Sequence, residues 1–211
     1  MPVSLTSLLP PGRVAFIMTE VQDGIIGDLA PWPALAEAAQ RVGLVENCSR
    51  IAIAARARGA AVFHCTAESL TGAYGSNTNT RLSGNARKRS MQQGPRSERF
   101  SRPPAELWRD SDILLPRYHG TSALTGSPLD SVLRNEGVTT VIIAGVSLCF
   151  GVLSMVIDAA NRGYQVILPR DACAGFPEDY AQQVIANTIS MLATVSTTDE
   201  ILAAWPETSA T

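Results

Sequence analysis

The chain has 211 residues, a formal net charge of -2 and 45% hydrophobic residues, which gives it the length for one domain with a sizeable core. That near-neutral balance offers no electrostatic case for a nucleic-acid or anionic-membrane partner, and no apolar run is long enough to span a bilayer. Cys48, Cys65, Cys149 and Cys173 show neither CxxC nor Cys/His metal spacing and read as reduced thiols. Together with an opening stretch, MPVSLTSLLPPG, that lacks a basic leader segment, they point to a cytoplasmic protein.

In chain order, residues 14–18 (VAFIM) read as a buried strand that runs into Glu20, Gln22 and Asp23. A carboxylate at the end of a buried strand is costly unless it is paired or used, which singles out Glu20. Residues 33–58 carry one helical period, closed by Gly59. Residues 60–65 (AAVFHC) form a second strand ending at His64, read as a hydrogen-bonded core histidine with no Asp or second His nearby in sequence to make a metal site.

Residues 66–103 differ in kind: rich in Gly, Ser, Asn and Arg, they read as a long connection without a regular pattern of its own. The run from Arg81 to Arg102 is basic and reads either as solvated surface or as an arginine-lined mouth for a carboxylate. A third strand (113–116) delivers Arg117 and His119, and Gly126-Ser127-Pro128 opens a helix.

The segment 139–158, TTVIIAGVSLCFGVLSMVID, organises the rest: a strand buried on both faces passes through Gly145-Val146-Ser147 into a helix with Leu153, Val156, Ile157 and Ala160 as its stripe. Such a junction favours a developing negative charge. A strand at 164–168, a helix at 177–192, a strand at 193–196 and a helix at 198–205 with Thr198 as a capping candidate complete the pattern. Alternation at this spacing means a parallel sheet covered on both faces.

With these residues in place, the chain resembles the isochorismatase-like hydrolase superfamily. The resemblance covers nearly the whole domain and rests on Glu20 with Gln22, on RYHGTSALTGSPLDSVLRNEGV, on IIAGVSLCFG and on DAANRGYQVILPRDACAG. It implies a single α/β domain over 1–211, a three-layer αβα sandwich with a Rossmann-like, six-stranded, mainly parallel sheet. It also implies a homodimer or homotetramer acting on a small molecule without cofactor or metal. A non-proline cis peptide would fall at Val146–Ser147.

The family's Asp-Lys-Cys triad maps onto Glu20, Arg117 and Gly151, because counts from Gly145 and from Asp158 both land on Gly151, two positions past Cys149. Gln22, Thr66, His119, Ser147 and Phe150 are candidate substrate-binding residues, and Arg81, at the start of the basic loop, is a further candidate for binding a carboxylate. Amidases of the family need a thiolate, whereas isochorismatases proper have glycine there and cleave a vinyl ether with the strand-end acid as proton donor. The leading expectation is therefore non-covalent acid–base chemistry by Glu20, with Arg117 fixing the substrate's negative charge. Two alternatives stand beside it: an amidohydrolase in which Cys149 takes over from a helix N-terminus, and a catalytically silent relative retained for binding or assembly.

Overall fold

The β-branched and apolar runs of the chain become the strands of one sheet. In the computed structural model, which describes residues 4–93 and 97–206, the elements are β1 (Val14–Thr19), α1 (Asp23–Ile26), α2 (Pro33–Arg41), α3 (Leu44–Ala57), β2 (Ala61–Ala67), α4 (Arg81–Gln93), β3 (Ile113–Arg117), α5 (Ala123–Gly126), α6 (Leu129–Asn135), β4 (Thr140–Val146), α7 (Gly151–Asn161), β5 (Gln165–Pro169), β6 (Cys173–Ala174), α8 (Glu178–Asn187), β7 (Thr194–Ser196) and α9 (Thr198–Ala204). The strands lie in the order β3-β2-β1-β4-β5-β7, with β6 paired to β4, and every pairing is parallel. The sheet thus has seven strands, one more than expected, because the two-residue β6 pairs with the end of β4 through Gly145 and Val146.

β1 and β4 are buried along their whole length, as continuous apolar runs require at the centre of a parallel sheet. Their crossovers run outward in opposite directions, so right-handed connections put α3 and α7 on opposite faces. α3 packs across β1, β2 and β4, and α7 packs on β4 and β5. Because all strands are parallel, their carboxyl ends share one edge, and that edge carries Glu20, Arg117 and the turn into α7.

Several boundaries differ from the sequence reading. The period over 33–58 is interrupted at Val42-Gly43, where Gly43 takes φ 64°, a left-handed conformation that ends α2 before α3 begins. The stretch 66–103 is not patternless: α4 lies inside it, with Leu82, Asn85, Ala86 and Arg89 at i, i+3, i+4 and i+7. A short turn of helix follows at Glu98–Ser101, and residues 94–96 lie outside the described part. The buried face of α7 is Val152, Met155, Val156 and Ala159, one step from the expected stripe, and Ile157 is exposed. The cap of α9 is Thr197, in a reciprocal box with Glu200, whereas the Thr198 N–H and hydroxyl donate to Asp171.

His64 lies within β2, not at its end, and its partner is distant in sequence. His64 Nε2 is 3.0 Å from Asp112 Oδ2, and Arg56 Nε and Nη2 bond the two Asp112 oxygens at 2.8 and 2.6 Å. Asp112 and His64 side chains are each 1% exposed. Burial works to raise the Asp112 pKa, but the Arg56, His64 and Arg109 N–H bonds together hold it below its ordinary value. Burial pushes His64 below its ordinary value against the pull of Asp112. Both depressed groups bind more protons when unfolded, so stability falls as pH drops below the ordinary histidine value of 6.5 and continues to fall as Asp112 protonates. Asp112→Ala, which strands the buried His64 and the partly buried Arg56, is expected to cost about 3 kcal/mol, read as a lower denaturation midpoint at unchanged m-value.

Candidate active site

Glu20 follows β1 directly, with φ 57°, and its N–H donates to the Cys65 carbonyl at 2.8 Å. A left-handed glutamate costs about 1 kcal/mol, so the tight turn at the end of β1 is bought with strain, the pattern seen where a side chain is aimed at a site. Its carboxylate meets Arg117, the last residue of β3, whose side chain is 8% exposed against 18% for Glu20. Arg117 Nη2 donates to Glu20 Oε1 and Nη1 donates to the Gly120 carbonyl. Gly126 makes room for the arginine stem: a Cβ there would stand 2.6 Å from Arg117 Cγ.

Burial and the guanidinium pull the Glu20 proton in opposite directions. Burial is the larger effect, so the carboxyl is held above its ordinary value of 4.5 although the Arg117 charge and hydrogen bond work to lower it.

Gly151 opens α7 beside this pair. A Cβ on it would lie 3.4 Å from Glu20 Oε1 and 2.9 Å from the Val146 carbonyl oxygen, closer than packed atoms tolerate. The peptide Val146–Ser147 before it is cis.

Two adjoining cavities of about 350 and 690 Å³ open at this edge of the sheet, and both have Glu20, Trp32, Leu82 and Arg89 in their walls. Arg117 and His119 line the smaller one; Ser147, Phe150 and Gly151 line the larger. The structure therefore brings Glu20, Arg117 and Gly151 together.

Four other residues singled out from the sequence stand apart from the cavities. Gln22 is fully buried and its amide is engaged: it accepts from Ala67 N at 2.7 Å and donates to the Phe100 carbonyl at 3.1 Å, which ties the turn after β1 to β2 and to the turn at Glu98–Ser101. Thr66 is buried within β2. Arg81 is exposed at the start of α4 and lines neither cavity. Cys149 is 6% exposed, its Sγ lies 3.8 Å from the Phe176 carbonyl, and burial pushes its thiol up, so it is neither turned to the cavity nor poised as a thiolate.

The basic lining comes from α4, through Arg87, Lys88 and Arg89, within the run that the sequence offered either as solvated surface or as an arginine-lined mouth. Arg117 lines the smaller cavity and is engaged there by Glu20 and the Gly120 carbonyl.

A carboxyl at a strand end, facing a cavity beyond the carboxyl edge of a doubly wound sheet, defines the general site of an open α/β protein. The isochorismatase domain matches residues 14–200, and the chain belongs to that family, the isochorismatase-like hydrolases. An isochorismatase family protein of Escherichia coli O157:H7 is 31% identical over 107 residues, 50% of this chain and 56% of the relative. The chain thus spans about half the length of the curated relatives it matches. Among solved structures, an isochorismatase family protein from Burkholderia thailandensis superposes with TM-score 0.75 at 22% identity, covering 92% of this chain and 96% of that one. A cysteine hydrolase from Pseudomonas syringae pv. phaseolicola 1448A superposes with TM-score 0.78 at 20% identity, covering 93% of each. At these identities the likeness is one of fold. Among the described residues no helix is long and apolar enough to cross a membrane, and no three His, Cys, Asp or Glu side chains gather as metal ligands.

All four thiols are buried. Native protein treated with an aromatic disulfide reagent at neutral pH is expected to label slowly at every cysteine and rapidly only on unfolding. Fast, stoichiometric labelling at Cys149 would contradict the placement of its thiol.

Proposed function

We propose that this chain is a hydrolase that works by acid–base chemistry on a small anionic or carbonyl-bearing metabolite without a covalent enzyme intermediate. Glu20 is the proton donor and Gly151 stands at the family's nucleophile position. The single observation that carries this reading is the 3.4 Å between Glu20 Oε1 and the place of a Gly151 Cβ. No Cβ stands at the Gly151 position beside the acid, and the thiol of Cys149, the alternative nucleophile, faces the Phe176 carbonyl.

An enol ether suits these groups. Glu20 protonates the vinyl carbon and leaves an oxocarbenium ion. Water adds to that ion and returns a proton to the Glu20 carboxylate, and the resulting hemiketal breaks into a carbonyl compound and an alcohol. Burial supports this role because it keeps the proton on Glu20 to higher pH than a solvated glutamate would. Arg117 orients the carboxyl and is the counter-charge for the carboxylate that forms once the proton has left. Its own anchor on the Gly120 carbonyl keeps the guanidinium in place while Glu20 is neutral.

Cys149→Ser is expected to keep kcat/KM within about tenfold, a barrier change below roughly 1.4 kcal/mol. Glu20→Gln is expected to lower it by about a hundred- to ten-thousand-fold. In the wild type, activity should be lost as pH rises through the Glu20 pKa. Activity that instead rises through that pKa makes Glu20 a base, and undiminished turnover by Glu20→Gln removes it from the reaction.

A further inference from the structure

The charged residues of α4 are all basic: its sequence RLSGNARKRSMQQ carries Arg81, Arg87, Lys88 and Arg89 and no acid. Arg89 is fixed at the shared wall of the two cavities. Its Nη1 donates to the Pro31 carbonyl at 2.6 Å, and its guanidinium carbon sits 4.8 Å from the Trp32 ring centroid. That anchoring holds the guanidinium plane in place and leaves further N–H donors without a protein acceptor among the described residues. Lys88 joins it in the wall of the larger cavity.

The charge there is unbalanced. Among the described residues neither Lys88 nor Arg89 forms an ion pair, while the acid of that cavity, Glu20, already faces Arg117. Two cations beside an acid that has its own partner make a cavity that favours an anion. Its other walls include the aromatic side chains of Trp32, Phe150 and Phe176.

We infer that Lys88 and Arg89 form an anion-binding subsite in the Glu20 cavity, which selects substrates with a planar, apolar body and a carboxylate that docks on the α4 wall. The inference deepens the proposed reaction and rests on the same cavity. An anchored guanidinium suits a carboxylate because its planar fork loses little freedom on binding and can donate two parallel hydrogen bonds. Lys88 adds a second positive charge without fixed geometry. Arg81, exposed at the start of α4, lines neither cavity and takes no part.

Benzoate and benzamide, of one shape and different charge, separate this from simple apolar binding. Their affinities can be read by ligand-observed NMR at low ionic strength. Benzoate is expected to bind wild type about tenfold more tightly than benzamide, a difference of roughly 1.4 kcal/mol. Arg89→Gln should abolish that preference, and Lys88→Gln, at an exposed position that leaves the Trp32 contact intact, should weaken it severalfold. Equal affinity for the two probes, no binding of benzoate, or a preference that survives both substitutions would overturn the subsite. Failure here is distinguishable from failure of the reaction: a pH profile without a Glu20 limb removes the acid role and leaves the benzoate preference untouched, whereas equal binding of the probes removes the subsite whatever Glu20 does.

Discussion

The Glu20 carboxyl and the Arg117 guanidinium meet at the carboxyl edge of the sheet, where enclosure favours the neutral acid and the arginine favours the carboxylate. The edge is built to hold that opposition in place. Glu20 is aimed by a left-handed backbone whose N–H is tied to β2, and Arg117 reaches across β2 from β3 with its stem against Gly126. Remove the enclosure and Glu20 becomes an ordinary surface carboxylate; remove the arginine and it becomes a buried acid with nothing to receive its charge. Chemistry that begins by giving up a proton and ends by taking one back needs both.

The neighbouring strand explains why there is room to work. Gly145 takes φ 114°, and a Cβ on it would stand 2.2 Å from the Thr19 carbonyl oxygen, so β4 can approach the end of β1 this closely only with glycine. The chain then turns through Ser147 and Phe150 and enters α7 at Gly151, again without a side chain beside Glu20. Two glycines, one on each side of the turn, thus set the distance between the acid and the helix start. The opposite wall is α4, whose Ser90 is its buried residue among those described and whose polar surface would not form a core. One side of the cavity is rigid sheet and the other is a basic helix held through Arg89.

The parts of this arrangement that were legible in the sequence are those set by burial on both faces. The runs VAFIM and VIIA can only be central strands, and a parallel sheet then forces their carboxyl ends, with Glu20 and the turn into α7, onto one edge. What could not be read depends on side chains brought together from afar or on helices with no apolar face. Asp112 reaches His64 from 48 residues away. α4 has no apolar stripe, so periodicity is silent, and its basic run reads equally as surface. Gln22 and Cys149 looked functional by position, but position along the chain does not say which way a side chain turns: one is fully engaged in tying loops together, the other packs on the Phe176 carbonyl. The stripe of α7 slipped by one residue because the helix begins at Gly151 and presents Val152, not Leu153, to the sheet.

The central claim is that enclosure outweighs the Arg117 charge at Glu20, and its most direct test is the titration of the Glu20 carboxyl carbon by carbon-detected NMR in wild type and in Arg117→Gln. A midpoint above the ordinary value of 4.5 in wild type, moving higher still when the guanidinium is removed, is the expected result. A wild-type midpoint below 4.5 would mean that the ion pair dominates, that Glu20 is a permanent carboxylate, and that it cannot be the proton donor.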